Sequence, residues 1–496
     1  MKNLMESEQR MKIIVLAVLA ALILGFEPFQ TGFDLKGHLG WVTSHTSAEV
    51  IKATPDNSFV GYALRFASPS DHSYFDRYPL FFSAISRAIL SPFENDLRHW
   101  IYLSRLYMDL LFLASLFYAY LITGHFLEDH LKRWSVVLLS FSGLYFLKYK
   151  AMLHYDQPAI LGMLGLMNGI FLMEKTGNRK PFFRWAFIAP LMGRGYASLF
   201  LLVLYFGFKL VLNFRSIERC FEYLKLALFS LIPSGLICTL FLGYNILTEA
   251  RIRNIPVSEV SIVKSAISRL GVEKFENPVQ ENNVQWSTFL FEQGKRLERH
   301  ISPHLLGKST GYILLFLIVL WIVYSQRKKC FSDLKNPQIL FMILSGFFWI
   351  LPMKRLAATH DYTTMYYFGL TIGIYILILK PISKPRIVFA LSLLLFALSL
   401  NKVMRDQRKD LAKKNALGDE FHEIRQRLGG KDFLIYPEQG HANLLPGRPY
   451  ILGFYFFDQK LTYDKGSSDF ILSNKKLDLR PVFEGKSLFL YSAKEI

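Results

Sequence analysis

Long apolar runs separated by short polar connections dominate the chain. A helix rises about 1.5 Å per residue, so about 20 apolar residues cross a hydrocarbon core of about 30 Å. Runs of this kind fall at 12–29, 100–123, 134–150, 158–173, 182–193, 195–213, 223–246, 309–325, 337–353, 362–379 and 386–401. They predict an all-α polytopic membrane protein of about eleven transmembrane helices. The stretch 182–213 breaks at Pro190 and at Gly193-Arg194-Gly195, which predicts two short helices meeting at a tight turn.

Cations gather in alternate connections. Loops 124–133, 174–184, 214–222, 326–336 and 380–386 are rich in Lys and Arg, whereas the short turns on the other side carry only Lys148, Lys150, Arg194, Lys354 and Arg355. By the positive-inside rule the N-terminus is cytoplasmic and the C-terminus is outside. Three larger segments then face outward: loops 30–99 and 247–308 and the tail 402–496. The chain thus divides into a transmembrane region, 1–401, and an extracytoplasmic C-terminal domain, 402–496. The tail starts with a charged helical run, Asp406 to Leu428. Strand-like runs follow at Phe433–Tyr436, Tyr450–Phe457, Asp469–Leu472 and Ser487–Tyr491, which predicts a small α/β domain. No small-residue cleavage site follows the first span, so it reads as an uncleaved anchor.

Composition narrows the class. Of the 496 residues 52% are hydrophobic and 20% charged, with 44 Phe, which excludes a disordered chain and disfavours a soluble enzyme. The net charge of +19 sits in the short loops and is a topology signal, not a nucleic-acid footprint. Cys220, Cys238 and Cys330 lack metal-ligand spacing. The chain has no Walker loop, HExxH or GxSxG, which disfavours an ATP-driven pump, a zinc protease and a lipase.

Candidate chemistry lies on the outer face. Asp34, with Lys36 and His38, follows the first span, where an acid can act as a base or orient an acceptor hydroxyl; a helix cap is the structural alternative. Asp156, in His154-Tyr155-Asp156-Gln157-Pro158, opens a span and is equally suited to capping it. Lys148 and Lys150 nearby either neutralise an anion or snorkel to the interface. Arg194, between two glycines, suits a phosphate or a carboxylate partner. Lys354, Arg355, His360, Asp361 and Tyr362 form either an anionic-headgroup site or a polar turn in an aromatic belt. Arg77 is a weaker candidate. Two acids on one face could also hold a divalent cation.

An acid after the first span, the Tyr78-Pro79-Leu80 stretch, an acid after the third span, the Gly-Arg-Gly turn and His360-Asp361-Tyr362 together resemble the C-type (GT-C) glycosyltransferases. The resemblance is greatest to the bacterial branch related to protein O-mannosyltransferases and lipid A aminoarabinose transferase, and it covers most of residues 10–400. It implies a GT-C fold in the bacterial inner membrane and a polyprenyl-phosphate-linked sugar as donor. The acceptor would be a glycan, a lipid or a protein. The resemblance further implies that Asp34 engages the acceptor and that Asp156 lies near donor and acceptor. Arg194 would lie near the phosphate, with His360 and Tyr362 bordering the lipid-phosphate site. The protein mannosyltransferases carry an Asp-Glu pair where this chain has Asp34-Leu35, a departure that weakens the case for a protein acceptor. A physical argument agrees on the donor: nucleotide sugars are made in the cytoplasm, so an outward-facing site is best supplied by a prenyl-anchored sugar whose phosphate leaves against cations such as Arg194 and Arg355. A transporter or flippase, which would place polar groups near mid-depth, and an outer-face glycan polymerase or ligase are the competing classes.

Overall fold

The computed structural model describes residues 2–26, 80–93, 97–260, 285–306, 336–351, 360–408 and 434–437, most of 465–495, and isolated shorter pieces. Asp34, Lys36, His38, Arg77, Lys354 and Arg355 lie outside the described residues, as does the expected span 309–325.

Thirteen helices of six residues or more are described: α1 Lys2–Phe26, α2 Leu80–Leu90, α3 Leu97–Thr123, α4 His130–Ser140, α5 Leu144–Tyr149, α6 Asp156–Thr176, α7 Lys180–Ile188, α8 Tyr196–Leu212, α9 Ile217–Arg253, α10 Trp286–Ile301, α11 Pro337–Phe348, α12 Phe368–Leu379 and α13 Pro385–Arg408. A 3-10 segment, Asp361–Tyr367, leads directly into α12. Among the described residues five stretches are long and apolar enough to cross a bilayer: His99–Thr123, Asp156–Thr176, Ile217–Arg251, Asp361–Leu379 and Pro385–Gln407. Lys12–Leu24, Phe81–Phe93, Tyr196–Leu212 and Pro337–Phe348 are apolar but shorter. Along α9, Phe221, Leu228, Phe229, Ile232, Leu236, Leu240 and Leu247 are all exposed, as expected of a surface solvated by hydrocarbon.

One expected span is interrupted and one expected break is present, each for a visible reason. The run 134–150 divides into α4 and α5 at Ser142-Gly143. There a Cβ on Gly143 would come within 2.1 Å of the His300 carbonyl oxygen, and the Ser142 carbonyl accepts from the His304 amide at 3.0 Å. The end of α10 therefore occupies the space that a continuous helix would fill. The run 182–213 divides into α7, the 3-10 turn Ala189–Leu191, and α8. Gly193 lies at φ +55°, and a Cβ there would sit 1.9 Å from the Tyr155 carbonyl oxygen, which instead accepts from the Arg194 amide at 3.2 Å. Only glycine fits both the left-handed backbone and the close approach.

Helix α6 runs through the centre of the bundle, with sixteen of its 21 residues buried. It is tied to α3 at two points. Gln157 donates to the Ser115 hydroxyl at 3.0 Å, and Asn168, midway along α6, meets His125, just beyond the end of α3, at 3.2 Å. In the last turn of α6, Glu174 accepts from Tyr205 and Gln338 and pairs with Lys209.

The C-terminal part contains a five-stranded mixed sheet: β3 Leu434–Pro437, β4 Lys460–Leu461, β5 Phe470–Ser473, β6 Pro481–Glu484 and β7 Phe489–Ser492, in the order β4-β3-β5-β7-β6. The pairs β4-β3 and β3-β5 are parallel, and β5-β7 and β7-β6 are antiparallel. Ile424 and Leu428, from short helical pieces, join Ile435, Leu472 and Phe483 of the sheet in one buried cluster with Phe82, Trp100 and Tyr155. β4 and β6 were not read from the sequence, and the expected strand 450–457 lies outside the described residues. Helix α13 continues to Arg408, past the boundary drawn at 401. A two-stranded ribbon, β1 Tyr62–Ala63 with β2 Ser73–Tyr74, lies in the first long loop.

Candidate functional site

Helix α6 begins at Asp156 itself, and the preceding Tyr155 makes no side-chain cap. The Asp156 carboxylate is therefore free of capping duty and turns into the bundle, fully buried. Its Oδ2 accepts from His154 Nδ1 at 2.6 Å, which fixes the proton on that ring nitrogen, because an ionised carboxylate only accepts. Its Oδ1 accepts from the Tyr366 hydroxyl at 2.8 Å and lies 2.9 Å from Arg194 Nε. Arg194 is 1% exposed, so this ion pair is shut away from water. The carboxylate's position at the N-terminus of α6 is also favourable to its charge.

Tyr362 stands beside the pair. Its hydroxyl receives a hydrogen bond from Arg194 Nη2 at 3.3 Å, and the guanidinium carbon lies 5.7 Å from its ring centre. The rings of His154 and His360 flank it at 5.3 and 5.2 Å, edge-on and stacked respectively. Asp361 turns the other way and accepts from Tyr149 at 2.6 Å and from Lys148 at 3.3 Å. That second contact is a partly exposed pair, of a kind that contributes at most about 1 kcal/mol.

The structure thus joins His154, Asp156, Arg194, His360 and Tyr362 in one site, at the end of the bundle opposite Glu174. Of the two partners considered for Arg194, a carboxylate occupies it. Lys150 does not snorkel: it is fully buried and pairs with Asp109 of α3 at 2.9 Å. Asp109, Tyr366 and the segment that supports Tyr362 were missed in the sequence. Asp109 lay inside a run read as apolar, and a lone acid well within a span was the available signal. Tyr366 enters only under the aromatic-belt alternative for that stretch and was not singled out.

Helix α10 supports this site from the long second loop. Gln293 donates to the Ala357 carbonyl at 2.9 Å and accepts from the Tyr367 hydroxyl at 3.3 Å. Arg296 donates to the carbonyls of Ala357 and, at 3.3 Å, of His360. Among the described residues no group of three or more His, Cys, Asp or Glu side chains is placed to hold a metal, and Asp34, the other acid considered for a divalent cation, lies outside them.

The fold is similar to that of solved C-type (GT-C) glycosyltransferases. Among solved structures, ArnT from Cupriavidus metallidurans superposes with a TM-score of 0.59 in its apo state, at 12% identity over 98% of each chain. The same protein bound to undecaprenyl phosphate gives 0.61, also at 12% identity, over 97% of this chain and 98% of that one. The apo oligosaccharyltransferase of Archaeoglobus fulgidus gives 0.52 at 10% identity over 90% of this chain, which spans only 63% of that enzyme. No protein-family model matches the chain, and no curated protein matches it by sequence.

Proposed function

We propose that the protein is an inverting membrane glycosyltransferase that takes a sugar from a polyprenyl-phosphate donor at the outer face of the bacterial inner membrane and moves it to a glycan, lipid or protein acceptor. The observation that carries this reading is the convergence of His154, Asp156, Arg194 and Tyr362 at one end of a bundle with the fold of an enzyme solved with undecaprenyl phosphate. In this reading the acceptor hydroxyl attacks the anomeric carbon, the bond from that carbon to the phosphate oxygen breaks, and polyprenyl phosphate leaves. The hydroxyl proton passes to the Asp34 carboxylate. Arg194, with Lys354 and Arg355, meets the negative charge that grows on the leaving phosphate. Asp156 holds the guanidinium in one orientation, and the phosphate displaces the long contact to the Tyr362 hydroxyl as it arrives. The bilayer is the medium that delivers the donor. The tail from 402 onward is an outer domain that frames the acceptor side.

The test is a lipid extract from a strain of the source organism lacking the protein. A polyprenyl-phosphate sugar should accumulate and should return to its basal level on complementation. Complementation with Asp34→Asn should fail although that variant is correctly inserted. An unchanged lipid profile, or a fully active Asp34→Asn protein, overturns the reading.

A further inference from the structure

Helix α10 divides into three faces when its positions are turned by about 100° per residue. Phe289, Gln293 and His300, with half-buried Arg296, form the face packed against the rest of the protein. A second arc carries Trp286, Leu290, Leu297 and Phe291, of which Trp286, Leu290 and Phe291 are 54%, 57% and 63% exposed. Glu298 and Ile301, toward the C-terminal end of that arc, are buried, so its exposed part is the N-terminal half. The remaining arc holds Thr288, Glu292, Lys295 and Arg299. Lys295 Nζ lies 4.0 Å from the Phe291 ring centre and so marks the border between the apolar and charged arcs.

The height of this helix relative to the membrane is fixed by its hydrogen bonds. Gln293 and Arg296 hold Ala357, His360 and Tyr367, and the apolar stretch that crosses the bilayer starts at Asp361. The exposed apolar arc therefore sits level with the membrane boundary at the site's end of the bundle. A helix with aromatic and aliphatic residues on one arc and cations beside it is suited to partition at the headgroup–acyl boundary.

We propose that α10 is a membrane-surface helix, with the lipid leaflet as its partner. Its Trp286–Leu290–Phe291 arc seats among headgroups and acyl chains while its opposite face clamps the segment 357–367. Arg296 and Gln293 are positioning residues, because together they hold the carbonyls of Ala357 and His360 and the hydroxyl of Tyr367, which lie on either side of Tyr362. The leaflet thereby takes part in setting where those two rings stand. This inference requires only that the protein be embedded in a membrane, so it stands or falls independently of the glycosyltransferase reading.

The experiment uses the full chain in nanodiscs of phosphatidylethanolamine and phosphatidylglycerol. Cys220, Cys238 and Cys330 are replaced by Ser, and single nitroxide labels are placed at Leu290→Cys, Phe291→Cys and Thr288→Cys. Labels at 290 and 291 should collide with oxygen in preference to a water-soluble nickel chelate, with a ratio at least about threefold that at 288. Equal ratios at the three sites, or labels at 290 and 291 shielded from both reagents, overturn the membrane contact; shielding means that protein covers the arc. The clamp is tested by hydrogen exchange of Arg296→Gln. Amides of 357–362 should exchange about tenfold faster while those of 371–379 keep their rates, as expected when one anchoring contact is lost locally. Unchanged rates at 357–362 overturn the positioning role.

Discussion

Removing one partner of the Asp156–Arg194 pair exposes how much of the site depends on the other. At 2.9 Å, and at an effective dielectric of about 20, the two charges attract by about 6 kcal/mol before desolvation is counted. Breaking a buried pair by neutralising one side generally costs about 3–5 kcal/mol, because the remaining charge stays in a dry environment. Asp156→Asn leaves a guanidinium that is 1% exposed without its counter-charge, and Arg194→Gln leaves a carboxylate held only by His154 and Tyr366. Each single variant should therefore lose about 3–5 kcal/mol. The double variant should lose no more than the worse single, a coupling of about 3 kcal/mol. The assay is reversible unfolding in mixed micelles by stepwise addition of a denaturing detergent, followed by far-UV circular dichroism at neutral pH. If the double variant loses the sum of the two single losses, the side chains are not coupled and the electrostatic account of the site is wrong.

Gly193→Ala should destabilise by about 1–3 kcal/mol, because the left-handed backbone and the Tyr155 carbonyl leave no room for a Cβ. Gly207→Ala, with nothing within 4 Å, should be neutral or slightly stabilising in the same unfolding measurement. His300 is fully buried with neither ring nitrogen hydrogen-bonded, and burial pushes its pKa down to about 3. The unfolded chain then binds a proton below about pH 6.5 that the folded chain refuses. Stability should be unaffected by this group above that pH and should fall by about 1.4 kcal/mol per unit as the pH drops from about 6.5 toward about 3. His300→Phe should remove that component of the slope, and an identical slope in the variant refutes the assignment. Lys150→Met alone should cost about 3–5 kcal/mol by taking away the buried cation paired with Asp109, whereas Lys150→Met with Asp109→Leu should recover most of the loss in unfolding titrations.

The bundle was legible because apolar runs of membrane length leave few alternatives, and glycine and proline marked the α7–α8 turn. The α4–α5 break was not, since Gly143 is dictated by the His300 carbonyl from a segment more than 150 positions away. The candidates that the structure brings together stand next to punctuation in the sequence: Asp156 shortly before a proline, Arg194 between glycines, His360 and Tyr362 where a span begins. Residues embedded in regular apolar text were not singled out. Asp109 and Tyr366 declare themselves only when two helices meet, and Arg296 acts on backbone carbonyls, which have no sequence of their own.

The two ties between α3 and α6 constrain how the bundle can move. Gln157 and Asn168 are eleven residues apart on α6, about 16.5 Å, and their partners Ser115 and His125 are ten apart along α3 and the turn after it, about 15 Å. Two rods pinned at matched distances cannot slip past each other by a helical turn without breaking both pins. Piston or ratchet strokes along this axis are therefore disfavoured. Any opening that admits a bulky guest has to come from elements hinged around this pair, with the pair itself serving as the stator.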